Sequence, residues 1–120
     1  MNFGPAVLGR VYHCVDMIDY RDGKDVSLSA LARLREACGF SARDPAALAG
    51  QVEGARWVVA AFDGDRLVGF ARAISDGVTN AYLSSVMVDD AYRRRGIGRE
   101  LVARLIAGRA TIRWVLHARP

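Results

Sequence analysis

One stretch of the chain, residues 80–108, constrains the fold more than any other. It opens with a Val-rich run that predicts a strand over 80–88, and it closes with an amphipathic helix that ends near Gly108. Three arginines and Gly96-Ile97-Gly98 lie between a short charged loop and the helix. A helix start leaves about four backbone N–H groups unpaired and carries partial positive charge, so this turn is predicted to bind an anion. The two glycines allow a phosphate to approach the backbone closely.

This arrangement resembles the acetyl-CoA-binding segment of the GNAT superfamily of N-acetyltransferases. The family signature is Gln or Arg, two variable residues, Gly, one variable residue, and then Gly or Ala, and the segment 93–98 reads RRRGIG. A Val-rich strand and a short loop with Asp and Tyr precede the signature, here VMVDDAY over 86–92. The resemblance extends less sharply back to about Met17. A Rossmann dinucleotide site fits worse, because its third glycine position holds Leu101.

The resemblance implies an α/β (α+β) fold of the GNAT type. Such a fold has a mixed, mostly antiparallel central sheet with helices on both faces and a splayed parallel pair of strands, here 80–88 and 111–117. The pattern itself also predicts that this pair is parallel, because a helix crosses over between the two strands.

The remaining elements are predicted from periodicity and turn chemistry. Residues 14–20 alternate and predict a first strand with Val15 and Met17 inward, and Ile18 as a further candidate, followed by a turn over 21–25. Ser27 or Ser29 caps a first helix that stops at Gly39, and Asp44-Pro45 starts a second helix that stops at Gly54. The clearest hairpin joins 56–62 to 66–74 through Asp63-Gly64-Asp65.

Length and composition predict one domain over residues 1–120, with 1–12 as a loose lead-in. No apolar run reaches the roughly 18 residues that a membrane span needs, and no secretory signal is evident, so we expect a cytoplasmic protein. Cys14 and Cys38 show neither metal-ligand spacing nor a disulfide framework, so we expect both to be small buried hydrophobes and no metal site.

The positive charge is concentrated toward the C-terminal end. From Arg93 onward the sequence has eight arginines and one acid, although the whole chain carries only +4. This bias favours an anionic ligand. A nucleic acid fits the charge alone, but the arginines beyond Arg99 are spread out and no aromatic stacking platform accompanies them.

The strand 80–88 contains a shift in its apolar alternation between Leu83 and Val86, which predicts a bulge near Ser84-Ser85. In the family, a bulge at this point leaves backbone groups free for the pantetheine arm and the thioester. The resemblance therefore assigns coenzyme binding to ten residues: Val86, Met87, Val88, Arg93, Arg94, Arg95, Gly96, Ile97, Gly98 and Arg99.

The general base and acid are less visible than the coenzyme site. Tyr82, Ser84 and Glu36 are the candidates by sequence, and Asp76 and His13 are weaker ones. Each has an ordinary alternative, such as sheet packing for Tyr82 and a turn role for Asp76. Water relays serve many acetyltransferases of this kind, so a single base is not required.

The family pattern continues past the residues equivalent to 111–117 with a helix and a final hairpin, and a Tyr there is the usual proton donor to the coenzyme thiolate. The C-terminal helix and hairpin have no counterpart in this sequence, which reads as C-terminally truncated relative to the pattern. Two expectations follow. Acetyl transfer would be slow or absent, and a homodimer would form through the open edge of the 111–117 strand.

The leading interpretation is a GNAT-type acyl-CoA N-acyltransferase that moves an acetyl group from acetyl-CoA to a primary amine of a small molecule or peptide. Two alternatives stay open at this point. One is a catalytically weak acyl-CoA-binding or structural protein with the same fold, and the other is a basic nucleic-acid-binding module.

Overall fold

The computed structural model describes residues 17–116. The expectations for residues 1–12, His13, Cys14, Val15 and His117 therefore lie outside the described residues. The elements in chain order are β1 (Ile18–Asp22), α1 (Leu28–Ala37), α2 (Pro45–Gly54), β2 (Trp57–Asp63), β3 (Arg66–Ser75), β4 (Asn80–Val88), a 3₁₀ turn (Asp90–Tyr92), α3 (Ile97–Ile106) and β5 (Arg113–Leu116).

The five strands form one sheet in the order β1-β2-β3-β4-β5. The first four strands pair antiparallel, and β5 pairs parallel with β4 from Asn80↔Arg113 to Leu83↔Leu116. The mixed, mostly antiparallel sheet with its parallel pair confirms the predicted fold class. Gly64, with φ +60°, lies in the tight turn between β2 and β3, as the Asp-Gly sequence predicts.

Helices cover both faces of the sheet, each over its own core. On one face α1 and α2 bury Leu31, Leu34 and Leu48 against Phe70 and Met87. On the other face α3 buries three apolar residues at helical spacing, Ile97, Leu101 and Leu105. The helix starts are as predicted, because the Ser27 hydroxyl accepts from the Ala30 N–H and the Asp44 carboxylate accepts from the Ala46 N–H.

Gly69 fixes how closely α3 lies on the sheet. A Cβ at this position would come within 3.1 Å of side-chain carbons of Ile97 and Leu101, and within 3.2 Å of Ala61. Because so short a separation leaves no room for a methyl group, the glycine permits close contact between β3 and the first turns of α3. The N-terminus of α3 is thereby held beside the end of β4.

Two strand predictions need correction. β1 runs to Asp22, through the predicted turn, because its backbone pairs with β2 as far as Asp22↔Val59, and Met17 is 62% exposed instead of inward. β5 starts at Arg113 instead of 111. Ile112, which the sequence would place at the open edge of the 111–117 strand, is buried, and the Trp114 ring packs 5.9 Å from that of Trp57.

No helix within residues 17–116 is long and apolar enough to cross a membrane.

Candidate functional site

The turn between β4 and α3 has the geometry of an anion-binding site. Gly96 is the N-cap of α3 in the left-handed conformation, with φ +79°, and no side chain caps the helix. Arg94, two residues earlier, also has a positive φ of +66°. A left-handed residue followed by a right-handed one, as Gly96 and Ile97 are, points successive N–H groups toward one side, and the first turn of α3 adds its own unpaired N–H groups. A positive φ at an arginine is strained, which is common at ligand-binding turns.

This turn lines a cavity of about 540 Å³, which we call the turn pocket. A Cβ built on Gly96 meets nothing within 4 Å, so the space beside this glycine is open to a ligand. A Cβ on Gly98 would lie 3.5 Å from Val88 Cγ2, in ordinary contact. The residues that line the turn pocket are Cys38, Phe40, Val86, Met87, Val88, Tyr92, Arg93, Arg94, Gly96, Ile97 and Gly98.

The four arginines of the turn do not play equivalent roles. Arg93 and Arg94 line the turn pocket, whereas Arg95 and Arg99 do not. The Arg95 guanidinium lies 5.0 Å from the centroid of the Tyr92 ring, and the Tyr92 hydroxyl donates to the Asp63 carboxylate. That hydrogen bond raises the pKa of Tyr92. The loop is therefore tied to the β2–β3 hairpin on one side and open to ligand on the other.

β4 carries the predicted bulge. Ala73 pairs with Leu83 and Arg72 pairs with Ser85, so Ser84 has no partner in the ladder. The extra residue lets Leu83 and Val86, three positions apart, pack into the same α3-side core. The described pairing with β5 also reaches only to Leu83. Within the described residues, the backbone groups of Ser84 are thus left out of the pairing between β3 and β4.

A second cavity, of about 490 Å³, lies at the bulge and is called here the arginine pocket. It shares Phe40, Val86 and Met87 with the turn pocket, so the two cavities meet along β4. Its lining residues are Arg35, Phe40, Arg43, Gln51, Arg72, Leu83, Ser84, Ser85, Val86, Met87 and Leu116. Three of these are arginines from different parts of the chain.

Two of those arginines are buried. Arg35 is 8% exposed and Arg72 is 9% exposed, whereas Arg43 is exposed. Arg72 donates from Nε to Ser85 Oγ at 3.0 Å and from Nη2 to Ser84 Oγ at 2.9 Å. Burial, and then the charges of Arg43 and Arg35, lower the pKa of Arg72, and burial followed by Arg43 lowers the pKa of Arg35. Guanidinium groups stay charged at neutral pH all the same, so the pocket is strongly positive.

The structure separates the three catalytic candidates. Ser84 lines the arginine pocket and is bonded to Arg72. Tyr82 lies farther along β4, where it lines a different depression with Ile74 and Val115, and Glu36 is exposed in a groove between α1 and α2. Only Ser84 among them lines either of the two pockets.

Asp76 stabilises a turn, which the sequence analysis gave as the alternative to a catalytic role. Its carboxylate accepts from the backbone N–H groups of Val78 and Thr79 and from the Thr79 hydroxyl. These hydrogen bonds, the one from the Thr79 side chain first, lower the pKa of Asp76 far below its usual range. The residue closes the loop between β3 and β4 and does not line either pocket.

The sequence analysis gave no role at the site to two residues that lie beside it. Asp89 is buried and joins three segments, since it accepts from the Ala91 N–H and pairs with Arg66 and Arg33. Burial alone would raise the pKa of Asp89, but these partners hold it below its usual value. An acidic residue after an apolar strand, with basic residues elsewhere in the sequence, is too common a pattern to predict a buried carboxylate that forms ion pairs.

Cys38 is the other neighbour. It was expected to be a small buried hydrophobe, yet it is half-buried in the turn pocket and its thiol donates to the Val88 carbonyl at 3.2 Å. Burial raises the pKa of the Cys38 thiol, although Arg93 works in the opposite direction. No group of three or more His, Cys, Asp or Glu residues in the described part of the chain is arranged to hold a metal ion.

Solved structures of similar fold come from several organisms. A GNAT family acetyltransferase from Streptococcus pneumoniae superimposes with a TM-score of 0.75 at 23% identity, over 86% of this chain and 76% of that one. Arabidopsis thaliana NAA60, solved with a bisubstrate analogue, gives a TM-score of 0.67 at 21% identity, over 84% of this chain and 74% of that one. At these identities the likeness concerns the fold.

Sequence comparison goes further. A curated relative, histone acetyltransferase TAP1 of Glycine max, is 30% identical over 104 residues, which cover 77% of this chain and 45% of the relative. The chain thus spans less than half the length of that relative. The profile of the acetyltransferase (GNAT) family matches residues 26–114, from just before α1 into β5. With this match over most of its length, the chain belongs to the GNAT acetyltransferase family.

Proposed function

We propose that this protein is an N-acetyltransferase that transfers an acetyl group from acetyl-CoA to the primary amine of a small molecule or peptide. The observation that carries the proposal is the junction of the turn pocket and the arginine pocket along Val86 and Met87. An acyl transfer between two substrates needs two binding sites that meet at the reacting bond. The family to which the chain belongs uses acetyl-CoA as cosubstrate.

The residues present in the turn pocket fit the coenzyme. The open space beside Gly96 accepts a phosphate group, and the unpaired N–H groups at the start of α3 are suitable donors to it. Arg93 and Arg94 add positive charge there, while Arg95 and Arg99 act from outside the cavity. Val86, Met87 and Val88 would pair with the pantetheine amides as an added strand does. Cys38 would have to release the Val88 carbonyl for a full set of such bonds.

The chemistry is assigned to the bulge. A backbone N–H group at the bulge would donate to the thioester oxygen as negative charge develops on it. The amine nitrogen, entering from the arginine pocket, bonds to the acetyl carbonyl carbon as the C–S bond breaks. The nitrogen gives up a proton and the sulfur gains one. Ser84 is the one candidate side chain near this position, as a hydrogen-bond donor.

An acyl-CoA-binding protein without turnover is the second candidate. It is favoured by one observation: no Asp, Glu or His of residues 17–116 lines the arginine pocket. The amine would therefore have to lose its proton to water. A nucleic-acid module is disfavoured, because two of the three pocket arginines are buried and could not follow a phosphate backbone.

Calorimetry and a turnover assay separate these functions. We expect acetyl-CoA to bind, and we expect release of the coenzyme thiol when a panel of primary amines is supplied. Binding without thiol release for any amine would leave the second candidate in place. A protein that binds duplex or single-stranded DNA, and no acetyl-CoA, would support the nucleic-acid module.

The cytoplasmic location and the homodimer through residues 111–117 stay predictions. Val115 and Leu116 are about half exposed and would be the apolar contacts of such a dimer. Light scattering of the protein and of Val115→Lys checks the second prediction. A monomer in both samples contradicts it.

A further inference from the structure

The arginine pocket contains more positive charge than its surroundings balance. Among the ion pairs formed within residues 17–116, none includes Arg35, Arg43 or Arg72. No acidic side chain of that region lines the cavity either. Buried charges in proteins are ordinarily paired, since removal from water without a partner is costly. Three convergent guanidinium groups without a counter-charge therefore indicate a site for an anion.

Arg35 provides a second, independent sign. Its Nε is buried and has no hydrogen-bond partner in the described part of the chain. Its Nη2 reaches only the Ser41 carbonyl, at 3.3 Å, and its guanidinium lies 5.2 Å from the centroid of the Phe40 ring. A buried donor without a partner costs free energy, which an accepting oxygen in the cavity would recover.

Arg72 has donors to spare. A guanidinium has five N–H groups, and within residues 17–116 Arg72 forms two hydrogen bonds, to Ser85 and Ser84. The serine hydroxyls fix the guanidinium plane beside the bulge. Arg72, the buried Arg35 and the exposed Arg43 line the same cavity.

We propose that the acceptor substrate is an amine that also carries a carboxylate, and that Arg35, Arg43 and Arg72 bind this carboxylate in the arginine pocket. The proposal rests on the acetyltransferase function proposed above, and it names the substrate class. Planar guanidinium forks match a carboxylate in geometry as well as in charge. The coenzyme phosphates have their own donors in the turn pocket, where none of these three arginines is a lining residue.

The same charges act on the amine. Nearby positive charge disfavours an ammonium ion, so the pocket lowers the pKa of the acceptor amine and populates the neutral nucleophile. This compensates for the lack of a lining carboxylate or imidazole in the described residues. The pocket also repels diamines and lysine-rich peptides, whose second charge is positive.

The test compares ligands of matched length in calorimetric titrations of the protein saturated with coenzyme A. The series is 4-aminobutyrate, its primary amide, 1,4-diaminobutane and 3-aminopropylphosphonate. We expect 4-aminobutyrate to bind at least about 30-fold more tightly than the amide, which corresponds to one or two charge-assisted hydrogen bonds. Equal affinity for the acid and the amide, or tighter binding of the diamine, overturns the proposal. If 3-aminopropylphosphonate binds tenfold more tightly than 4-aminobutyrate, the pocket recognises a phosphate-like group and not a carboxylate.

Variants locate the effect in the pocket. Arg43 is exposed, so Arg43→Glu is expected to fold, to lose the preference for 4-aminobutyrate and to gain affinity for 1,4-diaminobutane. Arg113→Glu changes the net charge equally at an exposed residue that does not line the pocket, and it should keep the ranking of ligands. Loss of the preference in both variants, or in neither, contradicts the assignment. Acetyl-CoA affinity in each variant serves as the check on folding.

Failure of this proposal and failure of the proposed function have different signatures. If acetyl-CoA binds and no amine is acetylated, the transferase function fails, yet the ligand ranking still decides whether the pocket recognises a carboxylate. If amines are acetylated without regard to a carboxylate, with kcat/KM equal for 4-aminobutyrate and its amide, the function stands and this inference is wrong.

Discussion

The turn pocket and the arginine pocket are neighbours that are built in opposite ways. The turn pocket is made largely from one continuous segment, and in the proposed function the backbone of Arg94, Gly96 and the first turn of α3 would provide its donors. The arginine pocket is made from side chains that come from α1, the loop before α2, β3 and the bulge of β4. One site is therefore a local conformation, and the other is a product of the whole fold.

This difference explains how each site can be changed. A backbone site tolerates many side chains but depends on conformation and on free space, because its donors are present in every residue. A side-chain site tolerates small movements of the backbone, but substitution of a single charged residue can remove its ligand preference. Substitutions that fill free space, shift the strand register or change backbone strain should therefore affect the turn pocket and the bulge. Substitutions that change a charge should affect the arginine pocket.

The largest effect is expected from Gly96→Glu. The new side chain would occupy the space that is open beside Gly96 and would bring a negative charge to the phosphate position. We expect acetyl-CoA binding to weaken by about 3 kcal/mol, roughly 100-fold, measured by calorimetry.

The matched control is Gly108→Glu. Gly108 has φ +74°, close to the +79° of Gly96, and it too has nothing within 4 Å of an added Cβ, but it lies beyond the other end of α3. Both variants should lose similar stability, since the left-handed conformation costs a non-glycine residue about 1–2 kcal/mol. If the two variants also lose similar affinity, strain and not the phosphate position explains the effect.

A smaller effect is expected from deletion of Ser84. Without this residue the ladder continues from Ala73↔Leu83 to Arg72↔Ser85 with no interruption, and Leu83 and Val86 keep the same face because they become two positions apart. The protein should fold and bind acetyl-CoA, but kcat should fall by about 30-fold because the free backbone groups at the bulge are lost.

The control for the deletion is Ser84→Ala, which removes the hydroxyl bonded to Arg72 and keeps the bulge. We expect it to lower kcat only a few-fold. An equal loss in both variants would assign the role to the hydroxyl, and full activity in the deletion variant would show that the bulge only accommodates the fold.

The same contrast decides what could be predicted from the sequence. The turn pocket was predictable because its determinants, Gly96, Gly98 and the helix start, are contiguous. The bulge was predictable because the parity of apolar residues changes within one strand, between Leu83 and Val86. In both cases a short-range rule of backbone geometry connects the sequence to the structure.

The arginine pocket was not predictable in this way. Arg35 follows Leu34 in an amphipathic helix and Arg72 lies in a strand, where arginines are ordinarily solvated. Their burial becomes evident only when α1 packs on β3 and β4 bulges. Asp89 and the extension of β1 to Asp22 were missed for the same reason, because long-range pairing decided each of them.

The smallest expected effect separates the two contributions of Arg94. Arg94→Gly removes one positive charge from the turn pocket and also removes the strain of φ +66°. Relief of strain is offset in part by the greater freedom of glycine in the unfolded chain, so the free energy of unfolding should rise by about 0.5 kcal/mol. Acetyl-CoA affinity should fall about fivefold, as expected for one exposed charge near a phosphate, and less so in high salt.

The control is Arg95→Gly, where φ is not positive and the side chain lies over Tyr92. Its stability should fall instead, with little change in acetyl-CoA affinity. Chemical denaturation and calorimetry on both variants measure the two quantities. A loss of stability in Arg94→Gly equal to that in Arg95→Gly would mean that the positive φ stores no strain, and that the turn conformation is simply what the chain prefers.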